Sequence, residues 1–256
     1  MKEKISITID SELIRKADSL IDSISVRNRS QALESLLRKA LAERDIDCAV
    51  ILAGGEMSRL SFGETFKPLA KIEGIPILVN TISRLKSAGI TRIMIAAGPI
   101  KERVFELVGD GSEYGVKITY IKDNKTGTAG ALRNAARYIS GPFFVILGDV
   151  YFDFDLRKMI DFHRVNREIA TMAVSVTELG DSNDSLKITG NKITEFSYQP
   201  RNSRTYHVNA GIYLFNEEIL PMIAKGGSLE KESLPSLARQ GHLSGFVFSG
   251  QWRHLK

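Results

Sequence analysis

The sequence predicts an α/β protein with a doubly wound, mainly parallel sheet, preceded by a small unit of one strand and two helices. From residue 48 onward, short apolar runs typical of buried strands alternate with stretches of helical periodicity. A Gly-Gly turn follows the first apolar run, where open α/β sheets hold their ligands. A charged joint, AERDID at 42–47, separates this region from the first segment. We therefore expect two domains, 1–45 and 46–256.

Composition restricts the class of protein. The chain has 256 residues, of which 43% are hydrophobic and 25% charged, as in soluble globular proteins. Its apolar runs, such as FFVIL at 143–147, are too short to cross a bilayer, and no signal-peptide pattern is present. The single cysteine, Cys48, cannot form an internal disulfide. These features predict a cytoplasmic protein without a membrane partner.

The first segment has the pattern of a strand followed by two helices. In KISITID at 4–10, isoleucines alternate with polar residues, which is the period of a half-buried strand. Asp10 is the expected N-cap of the first helix and Ser30 that of the second. A single strand leaves both edges unpaired, and so short a segment cannot readily build a core alone. We therefore expect it to pair with a second copy.

This segment resembles the ribbon-helix-helix DNA-binding domains in KISITIDSELIRKADSL and RNRSQALESLLRKAL. The resemblance implies a homodimer whose two strands form a ribbon in the major groove of DNA. Lys4, Ser6 and Thr8 would then face base edges, and the helix N-terminus at Ser30 would hold a phosphate. Polar residues face outward in any such ribbon. Dimerisation without DNA binding therefore stays open as an alternative.

Strands and helices alternate in the second segment. Runs with strand character are CAVILA at 48–53, RIMIAA at 92–97, KITYI at 117–121, FFVIL at 143–147 and TMAVSV at 171–176. Stretches with helical character are ILVNTISRLKSAG at 77–89, the stretch after Gly127, and LRKMIDFHRVN at 156–166. This order predicts parallel strands joined by helical crossovers.

The most informative motif is LAGGEMSRL at 52–60, with Lys67 a short loop later. Gly54 and Gly55 let backbone N–H groups approach a phosphate without an intervening side chain. Arg59 can hold phosphate oxygens through two parallel hydrogen bonds, and Lys67 adds a second positive charge. Both cations suit the negative charge that develops during phosphoryl transfer.

The motif resembles the signature of nucleotidyltransferases that act on sugar 1-phosphates, LAGG-x-G-[TS]-R-L followed by PKP-L. Met57 stands where that signature has its third glycine. The stretch between Arg59 and Lys67 is also shorter than the corresponding stretch of most family members that act on sugars. The resemblance implies a Rossmann-like sheet of the nucleotide-diphospho-sugar transferase type and transfer of NMP from an NTP to a sugar 1-phosphate. The catalytic residues would be Arg59 and Lys67. The nucleotide-binding residues would be Leu52, Ala53, Gly54, Gly55 and Gly127.

The resemblance also assigns residues further along the chain. Asp149, directly after FFVIL, would bind Mg²⁺. Asn209, Gly211 and Glu230 would contact the sugar. Two functional positions of the family differ: its phosphate-binding lysine aligns with Gln199, and its second metal-binding aspartate aligns with His254.

These departures leave three hypotheses open. The first is an active transferase using NTP and sugar 1-phosphate. The second is a DNA-binding regulator whose transferase-like domain senses a nucleotide or nucleotide-sugar without turnover. The third is an enzyme with the first segment as a dimer clamp. We interpret Trp252 and three histidines as structural: His163, His207 and His242.

Overall fold

The structure is a computed structural model that describes residues 6–21, 26–42, 46–122, 126–177, 184–198 and 206–255. Lys4 and Gln199 lie outside these ranges. The chain divides into two compact units, 1–45 and 46–256, and each is described by itself.

The first unit contains helices α1 (Ser11–Asp18) and α2 (Arg29–Ala42). Asp10 caps α1 as predicted, because its carboxylate accepts a hydrogen bond from the Glu12 N–H at 2.7 Å. The predicted cap at Ser30 is wrong, since α2 begins at Arg29 and the Asn28 side chain accepts from the Gln31 N–H at 3.0 Å. Asparagine and serine cap helices equally well, so their close spacing here misled the prediction.

Much of the apolar surface of the first unit is exposed. Residues 6–10 form no strand within the described part of this single chain. Ile7 is 56% exposed and Leu13 57% exposed, whereas Ala17 and Ala32 are buried. Ser6, Thr8 and Ser30 are also exposed. One copy of the unit therefore leaves large apolar side chains in water.

The second unit alternates strands and helices. Its helices are α3 (Met57–Leu60), α4 (Ile77–Ser87), α5 (Lys101–Val108), α6 (Gly127–Ala135), α7 (Leu156–Asn166) and α8 (Leu234–Arg239). Its strands are β1 (Cys48–Leu52), β2 (Ser61–Phe62), β3 (Thr65–Phe66), β4 (Lys71–Ile72), β5 (Ile75–Pro76), β6 (Arg92–Ala96), β7 (Lys117–Tyr120), β8 (Phe143–Leu147), β9 (Val150–Phe152), β10 (Ala170–Val176), β11 (Asp184–Thr189), β12 (Lys192–Tyr198), β13 (His207–Phe215), β14 (Leu243–Val247) and β15 (Trp252–His254). The five predicted strands and three predicted helices are all present.

Within the described residues, nine strands form one sheet in the order β11-β12-β14-β10-β13-β8-β1-β6-β7. β7, β6, β1 and β8 are parallel neighbours, while β13 runs antiparallel to β8 and β10. From β1 the chain crosses first to β6 and later to β8 on the opposite side. This switch leaves a crevice beyond the carboxyl ends of β1 and β8.

Helices cover both faces of the sheet, which confirms the doubly wound α/β prediction. Alternate side chains of β1 enter two separate cores: Ala49 and Ile51 one of them, Cys48, Val50 and Leu52 the other. Burial on both faces explains the unbroken apolar run CAVIL. Burial also raises the pKa of the Cys48 thiol to about 11, so this side chain behaves as a small hydrophobe.

His163 is a buried histidine that joins α7 to the sheet. Its Nδ1 lies 2.8 Å from Thr171 Oγ1 and its Nε2 lies 3.0 Å from Asn216 Oδ1. Burial lowers the pKa of His163 below its usual value, and the hydrogen bond to Asn216 opposes this. These contacts agree with the structural role predicted for it.

This lowered pKa predicts that acid destabilises the fold. Below about pH 6.5 the unfolded chain binds a proton on this histidine more readily than the folded chain does, so stability falls with pH. We expect the loss of Tm between pH 7.5 and 5.5 to be smaller in His163→Gln than in the unaltered chain. His242→Gln, at a partly buried turn position, is the control. An equal loss of Tm in both variants would contradict the assignment.

Candidate functional site

A cleft of about 1600 Å³ opens at the carboxyl ends of β1 and β8. It is lined from both halves of the second unit. The first half of the unit contributes Leu52, Gly54, Gly55, Arg59 and Lys67, and the second half contributes Asp184, Asn209, Gly211, Glu230 and Lys231. Gly127, Asp149, Trp252 and His254 also line it. The predicted site residues of the second unit therefore share this cleft, except Ala53.

The loop after β1, residues 53–60, forms one wall, and we call it the glycine loop. Gly54 and Gly55 line the cleft, whereas Ala53 is buried beneath it. The Ala53 N–H donates to Ala96 O at 2.9 Å, so this group is already used within the sheet. A Cβ on Gly148 would lie 2.7 Å from Ala53 Cα, so only glycine lets the two strand ends converge.

Met57 and Arg59 lie on the short helix α3 within the glycine loop. Met57 begins this helix with an ordinary backbone conformation, so the glycine of the related signature is not required there. Arg59 is exposed and its Nε lies 3.7 Å from Glu56 Oε2. Such an exposed ion pair is weak, so a bound phosphate can compete for the guanidinium.

Lys67 also lines the cleft. It begins a single 3₁₀ turn, Lys67–Leu69, directly after the β2–β3 hairpin. Pro68 is buried and fixes the backbone at this turn, while Lys67 is partly exposed. The turn that follows the hairpin thus contributes a second positive charge to the cleft lining, in addition to Arg59.

Gly127 lies where α6 meets the segment before α8. Its φ is +76°, and a Cβ there would lie 2.1 Å from Gly227 O. The Gly227 N–H donates to Thr126 O at 2.8 Å, and Gly227 O accepts from the Ala129 N–H at 3.1 Å. This contact holds the start of α6 against the far wall of the cleft.

Asp149 and His254 meet although they are 105 residues apart in sequence. β15 pairs antiparallel with β9 and places His254 opposite Val150. His254 Nε2 lies 3.2 Å from Asp149 Oδ2, and both side chains are partly exposed to the cleft. The Leu255 N–H also donates to Asp149 O at 3.0 Å. Both side chains are therefore held in place by backbone pairing.

Trp252 anchors β15. Its indole N–H donates to Ala210 O at 2.9 Å, and its ring packs against the core while bordering the cleft. These contacts agree with a packing role.

Asn209 organises the opposite wall. Its amide donates to Asp184 Oδ2 at 3.0 Å and to the Tyr213 hydroxyl at 2.9 Å, and its oxygen accepts from the Gly211 N–H at 3.0 Å. Because its amide is held by these bonds, Asn209 positions Asp184 and the backbone. Sequence reasoning did not find Asp184, since an aspartate at the start of a strand carries no distinctive pattern.

Glu230 is a buried carboxylate that lines the cleft. Its Oε2 accepts hydrogen bonds from Thr128 Oγ1 at 3.1 Å and Ser228 Oγ at 2.5 Å. Its Oε1 is buried and makes no hydrogen bond in the described structure. A buried carboxylate oxygen without a partner is costly, so this oxygen is suited to accept a hydrogen bond from a ligand hydroxyl.

Lys231 brings a cation to the same wall and was missed by sequence reasoning. Its ammonium lies 4.9 Å from the centroid of the Tyr198 ring. Tyr198 directly precedes Gln199, the position that the resemblance aligns with the family's phosphate-binding lysine. We define the acceptor wall as Asp184, Tyr198, Asn209, Glu230 and Lys231.

Negative charge dominates the cleft. Among the described residues that line it, five carboxylates stand against three lysine or arginine side chains. Burial raises the pKa of Tyr213 well above its usual value, with further contributions from the charges of Glu230, Asp184 and Asp149. Two phosphorylated substrates would therefore need additional positive charge to bind together here.

The donors around Asp149 fit Mg²⁺ poorly. The described residues contain no group of three or more potential ligands, and the neighbour of Asp149 is the imidazole of His254. Mg²⁺ prefers oxygen donors, whereas imidazole suits transition metals. Mg²⁺ at Asp149 stays a prediction.

No helix within the described ranges combines the length and apolar character needed to cross a membrane.

Comparison with known proteins identifies the family. The family described as Nucleotidyl transferase matches residues 48–254. A mannose-1-phosphate guanylyltransferase of Mycobacterium tuberculosis is 30% identical over 84% of the chain and 62% of the relative. A mannose-1-phosphate guanylyltransferase catalytic subunit beta of Drosophila pseudoobscura is 32% identical over 81% and 58%. The chain thus spans about three fifths of the length of these relatives.

Solved structures share the fold. A structure described as a glucose-1-phosphate thymidylyltransferase from Bacillus anthracis has a TM-score of 0.71 and 27% identity, covering 80% of this chain and 88% of its own. HddC from Yersinia pseudotuberculosis, complexed with GMP-PN, has a TM-score of 0.68 and 25% identity, covering 82% and 93%. The matched region contains the cleft and the described residues that line it. Over residues 48–254, the chain belongs to the nucleotidyl transferase family.

Proposed function

We propose that this protein transfers a nucleotidyl group from an NTP to a sugar 1-phosphate and releases pyrophosphate. The observation that carries the proposal is that one cleft joins the glycine loop, Lys67 and the acceptor wall. One wall suits phosphates, and the other suits a hydroxylated molecule that carries a negative charge.

This arrangement supports the following reaction. A phosphate oxygen of the sugar 1-phosphate attacks the α-phosphorus in line. A new P–O bond forms, the bond to the β-phosphate oxygen breaks, and pyrophosphate leaves. Arg59 and Lys67 stabilise the negative charge that develops, and the backbone of Gly54, Gly55 and Gly127 positions the nucleotide. Asn209, Gly211 and Glu230 contact the sugar, and the Asn209 amide also holds Asp184.

GTP and mannose 1-phosphate are the first substrate pair to test, because both named relatives are mannose-1-phosphate guanylyltransferases. The full chain would be incubated with each NTP, a panel of sugar 1-phosphates, and Mg²⁺ or Mn²⁺. We expect pyrophosphate release with at least one pair. If no pair releases pyrophosphate, the proposed activity is wrong.

Lys231 is expected to bind the phosphate of the acceptor. It is the lysine of a wall that also carries Asp184 and Glu230, whose charges would repel a phosphate dianion. A hydrogen bond to a charged group contributes about 1.5–3 kcal/mol, so Lys231→Met should raise the KM for sugar 1-phosphate by about 10- to 100-fold. The KM for NTP should change little.

Two variants test this role. Lys231→Arg keeps the charge and should restore most of the acceptor affinity. Lys158→Met removes an exposed lysine of α7 outside the cleft lining and should leave both KM values unchanged. Equal increases in both KM values of Lys231→Met would argue against a role specific to the acceptor.

The first unit is proposed to form a homodimer through residues 4–10, which would become a ribbon strand on pairing with a second copy. The exposed Ile7 and Leu13 support this, because a partner copy would remove them from water. Deleting residues 1–45 should convert a dimer to a monomer in light scattering, as should Ile7→Lys in the full chain. A dimer that persists in both would place the interface elsewhere.

A DNA-binding regulator is the second candidate. It is favoured by a separate unit, 1–45, that lies outside the family match and exposes Ser6 and Thr8. DNA binding should then weaken steeply with salt and disappear in Lys4→Ala combined with Thr8→Ala. Nucleotide binding without pyrophosphate release would favour the regulator, whereas turnover without DNA binding at low salt would favour a dimer clamp.

A cytoplasmic location of the protein stays a prediction.

A further inference from the structure

The contact between Asp149 and His254 supplies two different donors at one point of the cleft. Asp149 contributes a carboxylate oxygen and His254 an imidazole nitrogen, separated by 3.2 Å. Two donors on adjacent corners of an octahedral site, with bonds of about 2.1 Å, are about 3.0 Å apart. The observed separation is therefore close to that required for both to bind one metal ion.

The fold holds these donors in place before any ligand binds. β15 pairs with β9 along its length, Trp252 anchors it to Ala210, and the Leu255 N–H fixes the backbone of Asp149. Neither donor is fully buried, so both can be reached from the cleft. Such preorganisation favours metal binding, since little conformational freedom is lost.

The charge of the cleft also favours a cation. The carboxylates that line it outnumber the lysine and arginine side chains, and both expected substrates are anionic. Phosphate oxygens and water would complete the coordination, since the described residues offer two protein donors at this point.

We infer that Asp149 and His254 form a mixed oxygen–nitrogen site that takes a divalent transition-metal ion, with Mn²⁺ and Co²⁺ as probes, in preference to Mg²⁺. An imidazole ligand favours transition-metal ions over Mg²⁺, which prefers oxygen ligands, and the effect is larger for Co²⁺ than for Mn²⁺, which stands lower in the order of affinities. The test concerns metal binding by the protein alone, and only the anionic substrates and their phosphate ligands rest on the proposed function.

The test measures binding of Mn²⁺ to the full chain without nucleotide, by the loss of the free-ion electron paramagnetic resonance signal. Mg²⁺ is then added as a competitor. We expect His254→Gln and Asp149→Asn each to weaken Mn²⁺ binding at least tenfold. Co²⁺ should give a visible absorption spectrum that changes in His254→Gln, because a nitrogen ligand is lost.

The decisive variant is His254→Asp, which replaces nitrogen by oxygen while keeping a metal donor. We expect the preference for Mn²⁺ over Mg²⁺ to fall at least tenfold in this variant. His242→Asp, at a turn away from the cleft, should leave the preference unchanged. If Asp149 and His254 form only an ion pair, His254→Gln will lower the Tm without changing Mn²⁺ affinity. That result, or an unchanged preference in His254→Asp, would overturn the inference.

Activity is measured separately. Loss of pyrophosphate release with intact Mn²⁺ binding would count against the proposed function alone. If the protein releases pyrophosphate but His254→Asp has the same preference for Mn²⁺ over Mg²⁺ as the unaltered chain, only the inference about this metal site is wrong.

Discussion

Replacing Lys67 by methionine is expected to lower kcat/KM for pyrophosphate release by about 10²- to 10³-fold. Removal of one preorganised group that stabilises charge in a transition state has an effect of this size. Lys67 begins the 3₁₀ turn that follows the β2–β3 hairpin, and it lines the same cleft as the glycine loop. Steady-state pyrophosphate assays with the substrate pair that turns over would measure the change.

Lys71→Met is the matched control for this prediction. Lys71 is an exposed lysine four residues later, on β4, and is not among the cleft-lining residues. The two variants lose the same charge and similar volume, so a difference between them reports position. If Lys67→Met retains more than a tenth of the activity, Lys67 is not a catalytic residue.

Gly127→Ala is expected to lower the free energy of unfolding by about 2–4 kcal/mol, in the range of severe backbone and packing changes. The added Cβ would meet the carbonyl oxygen of Gly227, and φ is positive at this position. Relief would require the start of α6 to separate from that segment, which breaks the pairing of Thr126 and Ala129 with Gly227. The bond from Thr128 to Glu230 would shift with it, so the KM for sugar 1-phosphate should also rise.

Gly190→Ala is the control for Gly127→Ala, because it introduces backbone strain without a steric conflict. Gly190 has a φ of +61° in the turn between β11 and β12, and nothing lies within 4 Å of the position of its Cβ. Its replacement should cost only about 1 kcal/mol, the strain of a left-handed conformation. Urea denaturation of both variants gives the comparison. If Gly127→Ala and Gly190→Ala lose the same free energy of unfolding, the chain near Gly227 moves aside at no cost and the steric argument is wrong.

Local pattern predicted the elements of the second unit well, because its strands and helices have strong and different periodicities. CAVIL and FFVIL are buried on both faces of the sheet, and each appears in the sequence as an unbroken apolar run. Asp155 caps α7, since its side chain accepts a hydrogen bond from the Arg157 N–H at 3.0 Å. The cap of α2 was misplaced because Asn28 and Ser30 are both good capping residues.

The part of the candidate site formed by the motif LAGGEMSRL at 52–60 was predictable from the sequence. The glycine loop and Lys67 lie close in sequence, and the carboxyl ends of parallel strands meet at one edge, so Asp149 was expected beside them. Lys231 and Asp184 had no such signal. A lysine beside a glutamate is usually a solvated surface residue, and only its place against Tyr198 distinguishes it.

The sequence by itself determined the α/β class, the order of the main elements and the place of the glycine loop after β1, because these depend on periodicity and on residues that are near neighbours. Only the tertiary structure decided that His254 meets Asp149 and that Glu230 meets Thr128, contacts that span 105 and 102 residues. The first depends on the register of β15 against β9, and the second on the close approach of Gly127 to Gly227. Register and close approach between distant segments depend on packing of the whole sheet, and no local pattern in the chain encodes them.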